Sequence, residues 1–173
     1  MDSTNALLRH TLATLAYRAE KVIRDFPADA KDRRVAPETR TATEILSHLG
    51  DLMILAEGLA RGQRVWQPAA VTTWDAASDH FFEKLAAADA ALARELPESF
   101  RLEIIFQAPV ADALTHVGQL ALLRGMAGAA VHPESFGRAD IRVGRVGRDQ
   151  APAVAPFEGD ASNPGRRAPG AGR

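Results

Sequence analysis

Residues 41–62 read TATEILSHLGDLMILAEGLARG, and this stretch decides the fold class. Thr41 and Glu44 have the spacing of a capping box, in which each side chain accepts a hydrogen bond from the other residue's backbone N–H at the start of a helix. Apolar residues then recur every three or four positions, which is the period of a helix with one buried face. Gly62 is a residue type that commonly follows the end of a helix. The stretch therefore predicts an amphipathic helix that ends near Arg61.

Three other segments show the same period and predict helices over residues 3–25, from Thr72 or Thr73 to Leu96, and over 110–127. Pro27 and Pro97 lie just beyond two of these segments. Because a proline disfavours helical geometry in the residue before it, we expect both helices to end there. The β-prone segment 100–106 is either extended chain or the lead-in to the last helix. The residues predicted to face the core include, in the first helix, Leu7, Leu8, Leu12, Leu15, Ala16, Ala19, Val22 and Ile23.

Four amphipathic helices can bury one common core when their apolar faces point inward. We therefore predict an all-α protein, a four-helix bundle with long connections over residues 1–135. The remaining residues, 136–173, are rich in Gly, Pro and Arg and predict an irregular tail whose last part is disordered.

The composition excludes several classes of function. The chain has 173 residues, no cysteine and a formal net charge of -1. Thiolate catalysis, disulfides and cysteine-based zinc sites are thus excluded, and the charge argues against nucleic acid as a partner. No apolar run reaches the roughly 20 residues that a membrane-spanning helix needs. We expect a cytoplasmic protein with no membrane partner.

A candidate metal site arises from two histidines and one aspartate. Asp112 and His116 are four residues apart, so on a helix they share one face. His48 lies in the apolar half of the second helix, and it could complete a site of two histidines and one carboxylate if these helices are neighbours. Such sites bind first-row divalent metals and leave positions open for water or substrate. The alternative is that Asp112 and His116 form only an ion pair.

Other polar residues have simpler interpretations. Arg124 lies two turns after His116, where it could bind an anionic group of a cofactor or substrate, or cover apolar surface with its stem. We interpret His10 and His80 as structural histidines and His132 as a solvated one.

Two of these segments resemble the DinB/YfiT-like metalloenzyme superfamily. Residues 43–52, TEILSHLGDL, are similar to its second-helix signature, and residues 112–120, DALTHVGQL, followed by LRGMAG at 123–128, are similar to its closing helix. The resemblance implies a four-helix bundle with a divalent metal held by three histidines. Carried onto this chain, the ligands are His48 and His116, with Asp112 where the family more often has histidine.

The resemblance also implies a class of activity. Members include S-transferases and a maleylpyruvate isomerase that use low-molecular-weight thiols such as mycothiol or bacillithiol. For this chain the resemblance implies two cofactors, a divalent metal (Zn, Ni, Fe or Mn) and a low-molecular-weight thiol. It also implies a small-molecule substrate and a homodimer. The alternatives are a non-catalytic bundle that binds a small ligand or a protein partner, and a purely structural or dimerising protein.

Overall fold

The computed structural model of this chain describes residues 3–70, 73–94 and 101–154. Four long helices make up most of it, and these ranges contain no β-strand. The helices are α1 (Ser3–Ile23), α2 (Ala42–Ala60), α3 (Trp74–Leu92), the single turn α4 (Leu102–Ile105) and α5 (Ala111–Met126). The predicted all-α helical bundle is confirmed.

The start of α2 follows the sequence pattern closely. The Thr41 hydroxyl accepts a hydrogen bond from the Glu44 N–H at 3.1 Å, and the Glu44 carboxylate accepts one from the Thr41 N–H at 2.8 Å. Together these satisfy two backbone donors that the first turn would otherwise leave free. At the other end Gly62 has a φ of 75°, a left-handed conformation that glycine adopts without strain. The predicted capping box is confirmed.

Two predictions about helix limits and faces are wrong. The third helix was expected to reach Leu96, but α3 ends at Leu92, because Ala93 is already its C-cap. Residues 95–100, which include the predicted end and Phe100, lie outside the described residues. Leu7 is 66% exposed rather than buried, because Leu8, Leu12 and the residues that follow at helical spacing define the inner face of α1.

The chain enters α5 through two short helical elements. After α4, residues Phe106–Val110 form one π-helical turn that contains Pro109. In a regular α-helix the proline ring collides with the carbonyl four residues before it, and the wider π-turn relieves this collision. Of the two structures considered for segment 100–106, its described part is the helical lead-in to α5.

The core lies between the four long helices. The helix α2 packs along α3 and also contacts α5, while α1 contacts α3 and α5. Arg9 of α1 and Asp89 of α3 form a two-pronged ion pair in this core, with Nε–Oδ1 and Nη2–Oδ2 distances of 2.9 and 2.7 Å. The largest fully buried side chains are Tyr17, Phe81, Leu12, Leu15, Leu46, Leu49, Met53, Leu85, Leu92, Ile105, Leu120 and Val110.

The chain divides into two compact units. Residues 1–131 and 141–150 form the helical unit, so part of the segment that the sequence assigns to the tail belongs with the helices, and Val146 is buried in it. The described part of the other unit, residues 132–140 and 151–154, includes the 3-10 turn Phe136–Arg138. The expected disorder of the last residues falls outside the described ranges. Among the helices described, none is long and apolar enough to cross a membrane.

Candidate metal centre

His48 lies at the edge of the buried face of α2. Its neighbours Ile45, Leu49 and Leu52 are all buried, while the histidine side chain itself remains 16% exposed. The imidazole is therefore held by an apolar surface and still reachable from solvent. Such an environment suits a metal ligand. Partial burial favours the neutral imidazole, and a neutral imidazole offers one nitrogen lone pair to a metal.

The contact between α2 and α5 brings His48 to the pair on α5. Asp112 and His116 are one turn apart on α5, as the sequence predicts, and share a face of that helix. His116 Nε2 lies 3.6 Å from Asp112 Oδ1, and His48 Nε2 lies 3.7 Å from Asp112 Oδ2. Each imidazole thus faces a different oxygen of one carboxylate, and both do so through Nε2.

The three side chains form a cluster that could hold one metal ion. One ligand atom from each of His48, Asp112 and His116 lies within 4.8 Å of the other two. Ligands of a tetrahedral zinc ion, at bond lengths of about 2.1 Å, lie about 3.4 Å from one another. The two distances to Asp112, each to a different oxygen of the carboxylate, are near this value. The imidazole rings stand edge to face, with centroids 4.9 Å apart.

Gln119 fixes the orientation of His116. His116 Nδ1 lies 2.7 Å from Gln119 Oε1, an oxygen that can only accept, so this contact is a hydrogen bond in the tautomer whose Nδ1 carries the hydrogen. In the neutral ring this leaves Nε2 with the lone pair, directed at Asp112. Metal-binding histidines commonly have such a partner on the other nitrogen. Gln119 was not predicted as a site residue, although its spacing of three from His116 on the same helix was a usable signal.

A second histidine–aspartate pair holds the connection beside the site. His80 Nε2 of α3 lies 3.4 Å from Asp51 Oδ1 of α2, and the same oxygen accepts a hydrogen bond from the Ala69 N–H at 2.9 Å. The connection before Ala69 carries Trp66, whose ring meets the His48 ring edge to face at 5.9 Å. The structural role expected for His80 agrees with these contacts. The role of Asp51 was not predicted.

The surroundings of His48 favour its neutral form. Burial is the largest cause that lowers its pKa below the ordinary value, and the positive charge of Arg40 lowers it further. The carboxylates of Asp112 and Asp51 act in the opposite direction but do not outweigh these effects. A lowered pKa leaves the nitrogen lone pair free at neutral pH, as metal binding requires.

An open cleft gives access to the carboxylate. Asp112, whose side chain is 48% exposed, lines a cleft of about 520 Å³ beside the π-turn. The other lining residues are Leu52, Leu55, Gln107, Ala108, Ala111 and Thr115. The wall is apolar with a few polar groups, and a small molecule could approach the Asp112 carboxylate from this direction.

The hydrogen bonds of Arg124 go to backbone carbonyls and not to these three side chains. Its Nε donates to the carbonyl of Ala129 at 2.7 Å, and its Nη1 donates to the carbonyls of Lys21, Val22 and Arg24 near the end of α1. These acceptors account for the position of the guanidinium without a ligand. The predicted role of Arg124 in cofactor binding stays a prediction. His10 is exposed on α1, and His132 is exposed in the other unit.

Comparison of the chain with protein-family models, with curated proteins and with solved structures finds no match in any of the three. The described residues define a helical bundle with a cluster of two histidines and one aspartate. The likeness to the DinB/YfiT-like superfamily stays a prediction from the sequence motifs.

Proposed function

We propose that this protein binds one divalent transition-metal ion through His48, Asp112 and His116. The observation that carries the proposal is the convergence of two Nε2 atoms on the two oxygens of one carboxylate, from helices whose ligands are 64 to 68 positions apart in the chain. Two imidazoles and one carboxylate suit zinc, iron, nickel and manganese. Three protein ligands also leave a coordination position open for a substrate.

The proposed activity is a metal-dependent transfer or detoxification reaction of the DinB-like type, with a low-molecular-weight thiol as co-substrate. A divalent ion at this position would act as a Lewis acid and lower the pKa of a thiol or water that binds to it. The sequence motifs support the family, and the open cleft beside Asp112 supports a small-molecule substrate.

The side chains of this protein have separate roles in the proposal. His48 supplies a lone pair that burial keeps unprotonated near neutral pH. Gln119 holds His116 in the tautomer whose Nε2 is free. The half-exposed carboxylate of Asp112 faces both imidazoles and the cleft, so it would be the ligand nearest to an incoming substrate.

The second candidate is a bundle that binds no metal, in which Asp112 serves as an ion-pair partner for the two histidines. The separations of 3.6 and 3.7 Å are also those of such pairs, and an exposed carboxylate needs no metal to be stable. The protein would then bind a small ligand or a partner without catalysis.

A homodimer also stays a prediction, and sedimentation equilibrium would test it.

The test is equilibrium dialysis of protein prepared without an affinity tag or nickel resin. After treatment with a chelator, the wild-type chain is dialysed against Zn²⁺, Ni²⁺ or Mn²⁺, and bound metal is measured by elemental analysis. We expect about one equivalent of Zn²⁺, a rise in melting temperature, and loss of both in His116→Ala and Asp112→Ala. His10→Ala is the matched control, because it removes an exposed histidine from another helix.

Two results would contradict the proposal as a whole, and a third would remove Asp112 from it. Wild-type protein that retains no metal, with an unchanged melting temperature, favours the metal-free bundle. Equal metal retention in the wild type and in both site variants would place the binding elsewhere. A change only in the stability of metal-free Asp112→Ala would identify Asp112 as an ion-pair partner.

A further inference from the structure

The connection that follows α2 packs back against the end of that helix. Its described part, residues 61–70, turns at Gly62, and the Gln63 N–H then donates to the Gly58 carbonyl at 2.8 Å. A β-carbon at position 58 would lie 2.9 Å from the Gln63 carbonyl oxygen and 3.3 Å from Val65 Cβ. The close approach of these two backbone segments therefore depends on glycine at position 58.

Asp51 attaches the same connection to α2 about two turns before Gly58. Asp51 is buried, and its Oδ1 accepts the hydrogen bond from the Ala69 N–H at 2.9 Å. A hydrogen bond from a backbone N–H to a carboxylate is stronger than one to a neutral acceptor. The connection is thus attached at two places, near Gly58 and at Asp51.

Trp66 lies between the two attachments in the chain and contacts His48. The two ring centroids are 5.9 Å apart, and the ring planes meet at 73°. The indole offers an N–H donor and no lone pair for a metal, so Trp66 is a neighbour of the ligand and not itself a ligand. Its ring is 50% exposed, so it belongs to the outer layer of the protein and not to its core.

We propose that Trp66 forms the wall of the metal centre beside His48 and that Asp51 is the residue that positions this wall. The inference rests on the proposed function, because Trp66 has this role only if His48 binds a metal. The edge-to-face contact restricts the orientation of the His48 ring. A ligand that is already oriented loses less freedom when it binds the ion, so the metal binds more tightly. Asp51 acts through the connection and Trp66, and it binds no metal itself.

The fluorescence of Trp66 reports on this arrangement. The chain contains two tryptophans, so Trp74→Phe in the full-length protein leaves Trp66 as the only one. Co²⁺ suits the same nitrogen and oxygen ligands as zinc, and its unfilled d shell quenches a nearby indole. In the chelator-treated protein we expect Co²⁺ to quench Trp66 saturably at about one equivalent. We expect His48→Ala to abolish this quenching.

Two substitutions of Asp51 separate its hydrogen bond from a general effect on folding. Asp51→Leu removes the acceptor of the Ala69 N–H, whereas Asp51→Asn is of equal size and keeps an oxygen that can accept it. We expect Asp51→Leu to lower the Co²⁺ affinity about tenfold, the low end for residues that support a ligand. In the metal-free protein it should raise acrylamide quenching of Trp66 up to about twofold, because the half-exposed ring would become fully exposed. Asp51→Asn should restore most of both values.

A second variant moves the connection at its other attachment. In Gly58→Ala the new β-carbon collides with the Gln63 carbonyl, so the connection must shift while Asp51 is unchanged. We expect the same directions of change in Co²⁺ affinity and in acrylamide quenching as in Asp51→Leu. Circular dichroism checks that each variant keeps its helices, and Gly58→Ala tests the proposal even if Asp51→Leu does not fold.

Three results would overturn the proposal. In the first, one equivalent of Co²⁺ binds, as dialysis and elemental analysis measure, but the fluorescence of Trp66 does not change. In the second, Asp51→Leu and Gly58→Ala bind Co²⁺ as tightly as the wild type. In the third, Asp51→Asn binds as weakly as Asp51→Leu, which would assign the effect to the charge that faces His80. All three leave the metal centre in place, whereas a wild-type chain that retains no Co²⁺ refutes the proposed function and this inference with it.

Discussion

Replacement of Gly50 by alanine tests the contact between α2 and α3 beside the metal centre. A β-carbon at position 50 would lie 2.0 Å from His80 Cδ2 and 2.6 Å from its Nε2, far closer than atoms can approach. The His80 ring must therefore move. Movement takes it away from Asp51, whose side chain is only 8% exposed and lies 3.4 Å from the ring.

The expected cost combines three effects. Overpacking a buried contact costs about 1–3 kcal/mol, and loss of a hydrogen bond to a charged group costs about 1.5–3 kcal/mol. Alanine in the interior of a helix is better than glycine by about 1 kcal/mol, which offsets part of this cost. Gly50→Ala should therefore lower the free energy of unfolding by about 1.5–5 kcal/mol.

The control is the same substitution in a His80→Ala background. There the clash and the contact with Asp51 are both gone, so only the helix propensity remains, and Gly50→Ala should stabilise by about 1 kcal/mol. Urea denaturation of the four proteins gives the coupling free energy directly. An effect of the same sign and size in both backgrounds would refute this account of the α2–α3 contact.

Three further predictions concern the site and its support. Gln119→Leu should lower the affinity for zinc about 10–100-fold in a dialysis titration, because His116 loses the partner that fixes its tautomer; unchanged affinity would contradict the role of Gln119. Arg124→Leu should lower the free energy of unfolding by about 2–3 kcal/mol in urea without loss of zinc, since it leaves carbonyls at the end of α1 unpaired; a loss of zinc binding would instead link Arg124 to the site. Burial lowers the pKa of His48, so below about pH 6.5 the unfolded chain binds this proton more readily than the folded one. The stability that His48 contributes to the metal-free protein is therefore present at neutral pH and is lost as the pH falls toward its lowered folded pKa. The urea midpoint should decrease over this interval, and more steeply in the wild type than in His48→Gln; equal slopes would contradict the prediction.

The local features of the fold could be predicted because short sequence patterns encode them. The capping box at Thr41 and Glu44 and the apolar period of α2 depend on residues within one or two turns of each other. The shared face of Asp112 and His116 follows from helix geometry alone. The approach of His48 to this pair required that α2 and α5 be neighbours, and the sequence could state this only as a condition.

The remaining features depend on contacts between distant segments. The exposure of Leu7 depends on which side of α1 the other helices cover, and the helical period of α1 is compatible with more than one choice. The pairing of His80 with Asp51 joins α3 to α2 across 29 residues, and no short pattern encodes it. The contact of Trp66 with His48 likewise forms only when the connection 61–70 packs back against α2.

The central claim is that His48, Asp112 and His116 hold one metal ion together. X-ray absorption spectroscopy of the zinc-loaded protein measures this most directly, because it reports the number and type of atoms bound to the ion. We predict two imidazole nitrogens at about 2.0–2.1 Å, with oxygen ligands completing the shell, and loss of one imidazole in His48→Ala. A spectrum without imidazole, or one that His48→Ala leaves unchanged, would contradict the claim.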